Sequence, residues 1–165
     1  MHRQRLRIAI ALIGVAHAGA ALAWPSAPDA VAAAGCTNLD AILPLFTLDY
    51  QAAIQGVFDA YCTGCHEGDA PPAGLDLSPG VSWSQLVGRP STGNPDLMRV
   101  VPDHPEASLL FEKVNCDLPA FGARMPFGAP ALPDDLQALI ADWIAAGAPP
   151  GATDTLFRGG FEPRG

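Results

Sequence analysis

The stretch Phe58-Asp59-Ala60-Tyr61-Cys62-Thr63-Gly64-Cys65-His66 decides how this chain is read. Just upstream, Ile54, Val57, Phe58 and Tyr61 recur at helical spacing. A helix from Leu48 to Tyr61 is therefore expected to run directly into Cys62. Two thiols two residues apart, followed at once by an imidazole, have three chemical readings. They can add across the two vinyl groups of a haem, with the imidazole beneath the ring as an iron ligand. They can supply part of a zinc site, or act as a dithiol redox pair. Zinc needs two further ligands, and thioredoxin-like dithiols open a helix after a strand, whereas Cys62 closes one. The haem reading leads, with Cys62 and Cys65 as covalent anchors and His66 as axial ligand.

The N-terminus bears on the compartment. Arg3, Arg5 and Arg7 form a positive region, Ile8 to Ala20 is apolar, and Ala21-Leu22-Ala23 is a small-residue cleavage site. Residues 1–23 read as a Sec-type bacterial signal peptide, giving a periplasmic or secreted chain that starts at Trp24. Ala33-Ala34-Gly35-Cys36 faintly resembles a lipobox, but Pro25, Pro28 and Asp29 separate it from the apolar run, so lipoprotein anchoring is disfavoured. Cleavage removes three arginines and takes the formal net charge from −8 to −11. That balance argues against a nucleic-acid partner and favours a basic one. No later segment has the apolar length of a membrane span.

The mature chain, about 140 residues, is enough for one domain. With 17 Gly and 17 Pro it reads as a few helices joined by long loops. Such an arrangement needs something to pack around, and a haem would serve. There is no second C-x-x-C-H, so one haem is the limit. Residues 24–47 are expected as an N-terminal lead-in, 48–148 as the domain and 149–165 as a flexible tail, with Phe157 and Phe161 able to dock. Glu67 to Ser78 reads as a loop, Val81 to Val87 as a short helix and Asn94 to Pro102 as extended. A helix from Asp103-His104-Pro105-Glu106 to Val114 follows, then a long loop from Asn115 to Pro133. The clearest helix opens at Pro133-Asp134-Asp135, carries Leu136, Leu139, Ile140, Trp143 and Ile144 on one face, and ends at Gly147.

A helix entering C-x-x-C-H, loops, and a terminal helix with an aromatic on its apolar face resemble a small class I c-type cytochrome. The fold this implies is all-α, three to five helices with long Gly/Pro-rich loops around one covalent haem c. A six-coordinate iron needs a second ligand, and Met125, in Arg124-Met125-Pro126 of the long loop, is the leading candidate. Its soft thioether favours the reduced iron. A Met followed by Pro ahead of the last helix is also the distal-ligand pattern of that family. Met98, between flanking valines, reads as core packing. His104 reads as a helix-start residue, with a bis-His site as its alternative.

From about Gln51 to Pro150 the chain resembles more closely the planctomycete-type cytochrome c-like domain. The matching blocks are Phe58 to His66, Gly74-Leu75-Asp76-Leu77-Ser78, Val101-Pro102-Asp103-His104-Pro105-Glu106-Ala107-Ser108-Leu109-Leu110, Arg124-Met125-Pro126 and Trp143-Ile144-Ala145-Ala146-Gly147-Ala148. That family usually has Gly before Asp in the third block, where Asp103 and His104 stand here.

Two cysteines are left once Cys62 and Cys65 hold haem. In an oxidising compartment Cys36 and Cys116 suggest a disulfide, the alternative being two separate thiols. The expected function is single-haem electron transfer through His66 and Met125 to a redox protein with a basic docking face, not an enzyme activity. The alternative is a haem enzyme subunit or haem-based sensor with an open or exchangeable sixth site.

Overall fold

Asp49 starts the helical part of the chain: its carboxylate accepts from Ala52 N at 2.9 Å, capping an amide that the first turn leaves without a partner. The computed structural model describes residues 35–45 and 47–154. The expected signal peptide, residues 24–34 of the lead-in and the tail beyond 154, with Phe157 and Phe161, lie outside the described residues.

From Asp49 a π-helical turn, Tyr50–Ile54, continues as α1, Gln55–Tyr61. A short 3₁₀ turn at Pro72–Gly74 precedes α2, Ser82–Leu86. A second 3₁₀ turn at Pro105–Ala107 leads to α3, Leu109–Asn115, and α4 spans Asp134–Ala145. The only ladder among the described residues pairs β1, Thr47–Leu48, antiparallel with β2, Thr153–Asp154. Among the described residues regular structure is thus helical with almost no strand, as expected of an all-α fold, with four α-helices where three to five are expected. No helix of the described residues is long and apolar enough to cross a membrane.

The core lies where the π turn and α1 meet α4. Tyr50, Ile54, Phe58, Ile140, Trp143 and Ile144 are all essentially inaccessible. The Tyr50 ring packs 5.2 Å from Trp143 and 6.5 Å, edge-on, from Phe58. Burying each such large side chain stabilises the fold by about 1.5–3 kcal/mol. Tyr61, expected on the same face, is 45% exposed, because α1 ends beside it and the chain turns away at Cys62.

The α4 stripe is as expected, with Leu136 and Leu139 half-buried at its edge. At its end Gly147 takes φ 89, Gly147 N donates to Ile144 O and Ala148 N to Trp143 O, a full Schellman closure. The helix expected over 103–114 is broken at Ser108. The Ser108 hydroxyl donates to His104 O at 2.8 Å and accepts from Val101 N at 2.9 Å, so its side chain displaces the helical bonds and its backbone is extended.

The described parts of both flanks are bonded to the 48–148 span. Cys36 is disulfide-bonded to Cys116. Thr37 N donates to Asn115 O at 3.0 Å, and Asn115 Nδ2 returns to Thr37 O at 2.9 Å. Leu45 N donates to the Asp142 carboxylate at 2.8 Å. On the other side, Trp143 Nε1 donates to Pro149 O.

Candidate functional site

α1 closes by winding one turn past its end. Cys62 N and Thr63 N both donate to Phe58 O, at 2.8 and 2.9 Å. Cys62 O then accepts from Cys65 N at 3.1 Å and from His66 N at 2.9 Å. In such a turn, positions three and four apart share a side, which groups Cys62, Cys65 and His66. Cys62 is half-buried against the core and Cys65 is exposed; both are free thiols. Burial pushes the Cys62 thiol up to about 11.

The His66 ring is held from the following loop. Its Nδ1 lies 3.2 Å from Leu75 O. A carbonyl oxygen only accepts, so Nδ1 is the donor, and in the neutral ring the lone pair is on Nε2. That is the tautomer of an imidazole prepared to bind a metal through Nε2. The loop is fixed in turn: Leu77 N donates to His66 O at 2.7 Å, and Leu77 O accepts from Gln55 Nε2 at 2.9 Å. Gln55 is buried because it closes a relay. Tyr50 O–H donates to Ser82 Oγ at 2.7 Å, Ser82 O–H donates to Gln55 Oε1 at 2.5 Å, and Gln55 also reaches Asp59 at 2.8 Å. Burial pushes the Tyr50 hydroxyl up to about 12, the bond to Ser82 opposing it.

Met125 is half-buried against the same apolar core as Cys62 and Leu75. Its N–H donates to Lys113 O at 2.7 Å, satisfying one of the last carbonyls of α3. The Lys113 ammonium donates to Phe121 O at 2.6 Å and Ala123 O at 2.9 Å. Ala120 N donates to the Glu112 carboxylate, and Arg124 pairs with Asp117. The disulfide at Cys116 anchors the start of this loop.

The His104 side chain is 59% exposed, and its Nδ1 lies 2.9 Å from Glu106 Oε1. The stretch expected as extended, Asn94 to Pro102, instead opens with a turn in which Leu97 N donates to Asn94 O; Met98 follows it, its backbone bridging to Pro90 and its carbonyl accepting from Leu109 N. Among the described residues no three His, Cys, Asp or Glu side chains gather as a metal-holding group.

Residues 62–66 and Met125 stand out in the sequence as candidates. The groups that hold them, Leu75 O, Gln55, Lys113 and Glu112, are not singled out there. Leu75 acts through its backbone, which side-chain identity does not report. Gln55 has one hint: a glutamine on the otherwise apolar side of α1.

No protein-family model, curated protein or solved structure matches the chain.

Proposed function

We propose that this chain is an exported single-haem c-type cytochrome, carrying electrons through an iron ligated by His66 and Met125. Its fold in this reading is that of a class I cytochrome, closest to the planctomycete-type domain. The observation that carries the reading is the His66 to Leu75 contact, which sets the metal-binding tautomer inside a C-x-x-C-H turn.

The residues present fit haem c. Cys62 and Cys65 would take its two vinyl groups, and His66 Nε2 and Met125 Sδ the two axial positions. Half-buried Leu75, Phe111, Leu136 and Leu139 border the same core as Cys62 and Met125 and offer an apolar edge to a porphyrin. Arg124 Nε, buried without a hydrogen-bond partner, is a donor next in sequence to Met125 and suits a propionate. Haem iron, when bound, supplies a reversible one-electron couple.

The chain's own part is to hold that site still. Gln55 and Leu77 fix the loop after His66, while Lys113 and the Cys36–Cys116 bond fix the loop carrying Met125. Ligands that stay in place through both oxidation states suit electron transfer better than substrate turnover. Asp103, standing where the resembled family has glycine, takes the left-handed φ of 68 that a glycine there would supply. A Cys62 thiol pushed up to about 11 is a poor thiolate, which counts against dithiol exchange. A disulfide fits export to an oxidising compartment, and the acidic balance fits a basic redox partner.

The test is the absorption spectrum of protein exported together with haem-maturation machinery, compared with Met125→Ala. Expected is covalent, low-spin, six-coordinate haem with a Met–iron charge-transfer band that the variant lacks. Purified protein without covalent haem overturns the reading. A band that survives in the variant overturns Met125 as ligand.

A further inference from the structure

Arg99 is the one charged side chain buried among the described residues, and no carboxylate is among its hydrogen-bond partners. Burying a guanidinium without an anion is costly, and burial together with nearby Arg89 holds its pKa below the usual arginine value. Its donors go instead to neutral oxygens. Nη1 reaches Gln85 O at 2.8 Å and Gln85 Oε1 at 3.3 Å. Nη2 reaches Ala73 O and Gly74 O, each at 3.2 Å. Thr92 Oγ1 also donates to Ala73 O. Ala73 and Gly74 both take φ 56, a conformation that costs an alanine energy and persists where surrounding bonds impose it. The next carbonyl along the chain is that of Leu75, the acceptor for His66 Nδ1.

We infer that Arg99 is a positioning residue for the His66 imidazole: by holding the Ala73 and Gly74 carbonyls it fixes the Leu75 carbonyl, and with it the tautomer and setting of the ring. The clamp is made of the chain's own atoms; its meaning for iron ligation rests on the function proposed above. A lysine cannot replace it, because a point charge on a flexible stem cannot span Gln85 and two backbone carbonyls as the planar fork does. Arg89 lines the same open cleft of about 400 Å³ with Ser84, Gln85, Thr92 and Arg99. Its Nε donates to Ser84 O, so its hydrogen bond does not hold the Ala73 or Gly74 carbonyl.

The test is NMR of the purified exported protein, following solvent exchange of the His66 Nδ1 proton. Arg99→Gln and Arg99→Lys should both speed exchange at least about tenfold, the effect of losing a well-held hydrogen bond. Arg89→Gln, which removes charge from the same cleft, should leave the rate within about twofold. Amide exchange at Ile140 in α4 should not change, which separates loss of the clamp from general loosening. Three outcomes overturn the proposal: an unchanged rate in Arg99→Gln, an Arg99→Lys protein that behaves as wild type, or equal acceleration by Arg89→Gln. Should Arg99→Gln not fold, Arg99→Lys carries the test alone: exchange should accelerate there, and a wild-type rate overturns the clamp. Wild-type protein without covalent haem would defeat the proposed function and leave this measurement intact, because His66 Nδ1 is bonded within the chain.

Discussion

Lys113 holds Met125 from both directions: its carbonyl accepts the Met125 N–H at 2.7 Å, and its ammonium donates to Phe121 O and Ala123 O on the approach to that residue. The loop that brings Met125 toward the core is therefore strapped to the last turn of α3, with the cation at the helix end where the macrodipole favours it.

Lys113→Met keeps the aliphatic stem and removes the donors. Two charge-assisted bonds near the surface are lost, so the cost should be about 1–2 kcal/mol in a urea titration. The more telling measurement is thermal and rests on the haem ligation proposed above. If Met125 ligates the iron, the Met–iron band of the variant should fade on heating well before the far-ultraviolet helix signal, whereas in wild type the two should run closer together. Identical separation in both proteins would show that Lys113 does not restrain Met125.

Gly93 makes room for the same loop. A Cβ built there would lie 2.7 and 2.9 Å from Phe121 ring atoms, closer than real side chains approach. Those atoms are the far end of a side chain that is 36% exposed, so Gly93→Ala should swing the ring outward rather than strain the backbone. The expected loss is about 1 kcal/mol, the packing of one partly buried ring. In a Phe121→Ala background the same substitution should cost almost nothing. Additive losses in that double-mutant cycle would mean that the ring does not rest on Gly93.

The Cys36–Cys116 bond spans 80 residues. In the chain-entropy account, closing a loop of that length stabilises by roughly 4 kcal/mol, less any strain. Replacing both cysteines by serine should lower stability by about 2–4 kcal/mol, and reductant should lower wild type but not the variant. Thiol counting on unreduced haem-loaded protein should find no free thiol. Two titratable thiols there would place Cys36 and Cys116 apart in solution.

What the sequence makes legible is local. α4 can be read because its five apolar positions repeat with the helical period, and residues 62–66 because the motif is contiguous. The buried polar residues cannot be read this way. Gln55 meets Ser82 and Leu77, Asn115 meets Thr37 and Gln137, and Arg99 meets Ala73 and Gln85, all distant in sequence. A glutamine or arginine in a local window looks solvent-facing until its remote partner is known. Likewise the position of Met125 suggests a ligand, but its anchoring by Lys113 depends on how the loop folds back. The break at Ser108 was open to a closer reading, since serine favours helix starts by bonding nearby backbone.

Tyr50 gives the fold a distinct response to alkali. Its hydroxyl donates to Ser82 at the head of the relay that ends on Leu77 O, and burial pushes its pKa up to about 12 against an ordinary value of 10.0. Between those values the unfolded chain releases the tyrosine proton while the folded chain keeps it. The folded state then binds more protons, so stability must fall as pH rises. Below about pH 10 both states are protonated and this residue contributes no pH dependence. Tyr50→Phe should be less stable at neutral pH by about 1 kcal/mol, because Ser82 loses its donor. It should also lose part of the decline between pH 10 and 12, so the two stability curves converge in alkali. Cys62 would add its own decline in any protein whose thiol is free, and it is equally present in both chains, so the difference between them isolates Tyr50. Urea midpoints at pH 8, 10 and 11.5 measure the effect; curves that stay parallel across that range would mean that Tyr50 ionises as readily in the folded protein as in the unfolded chain.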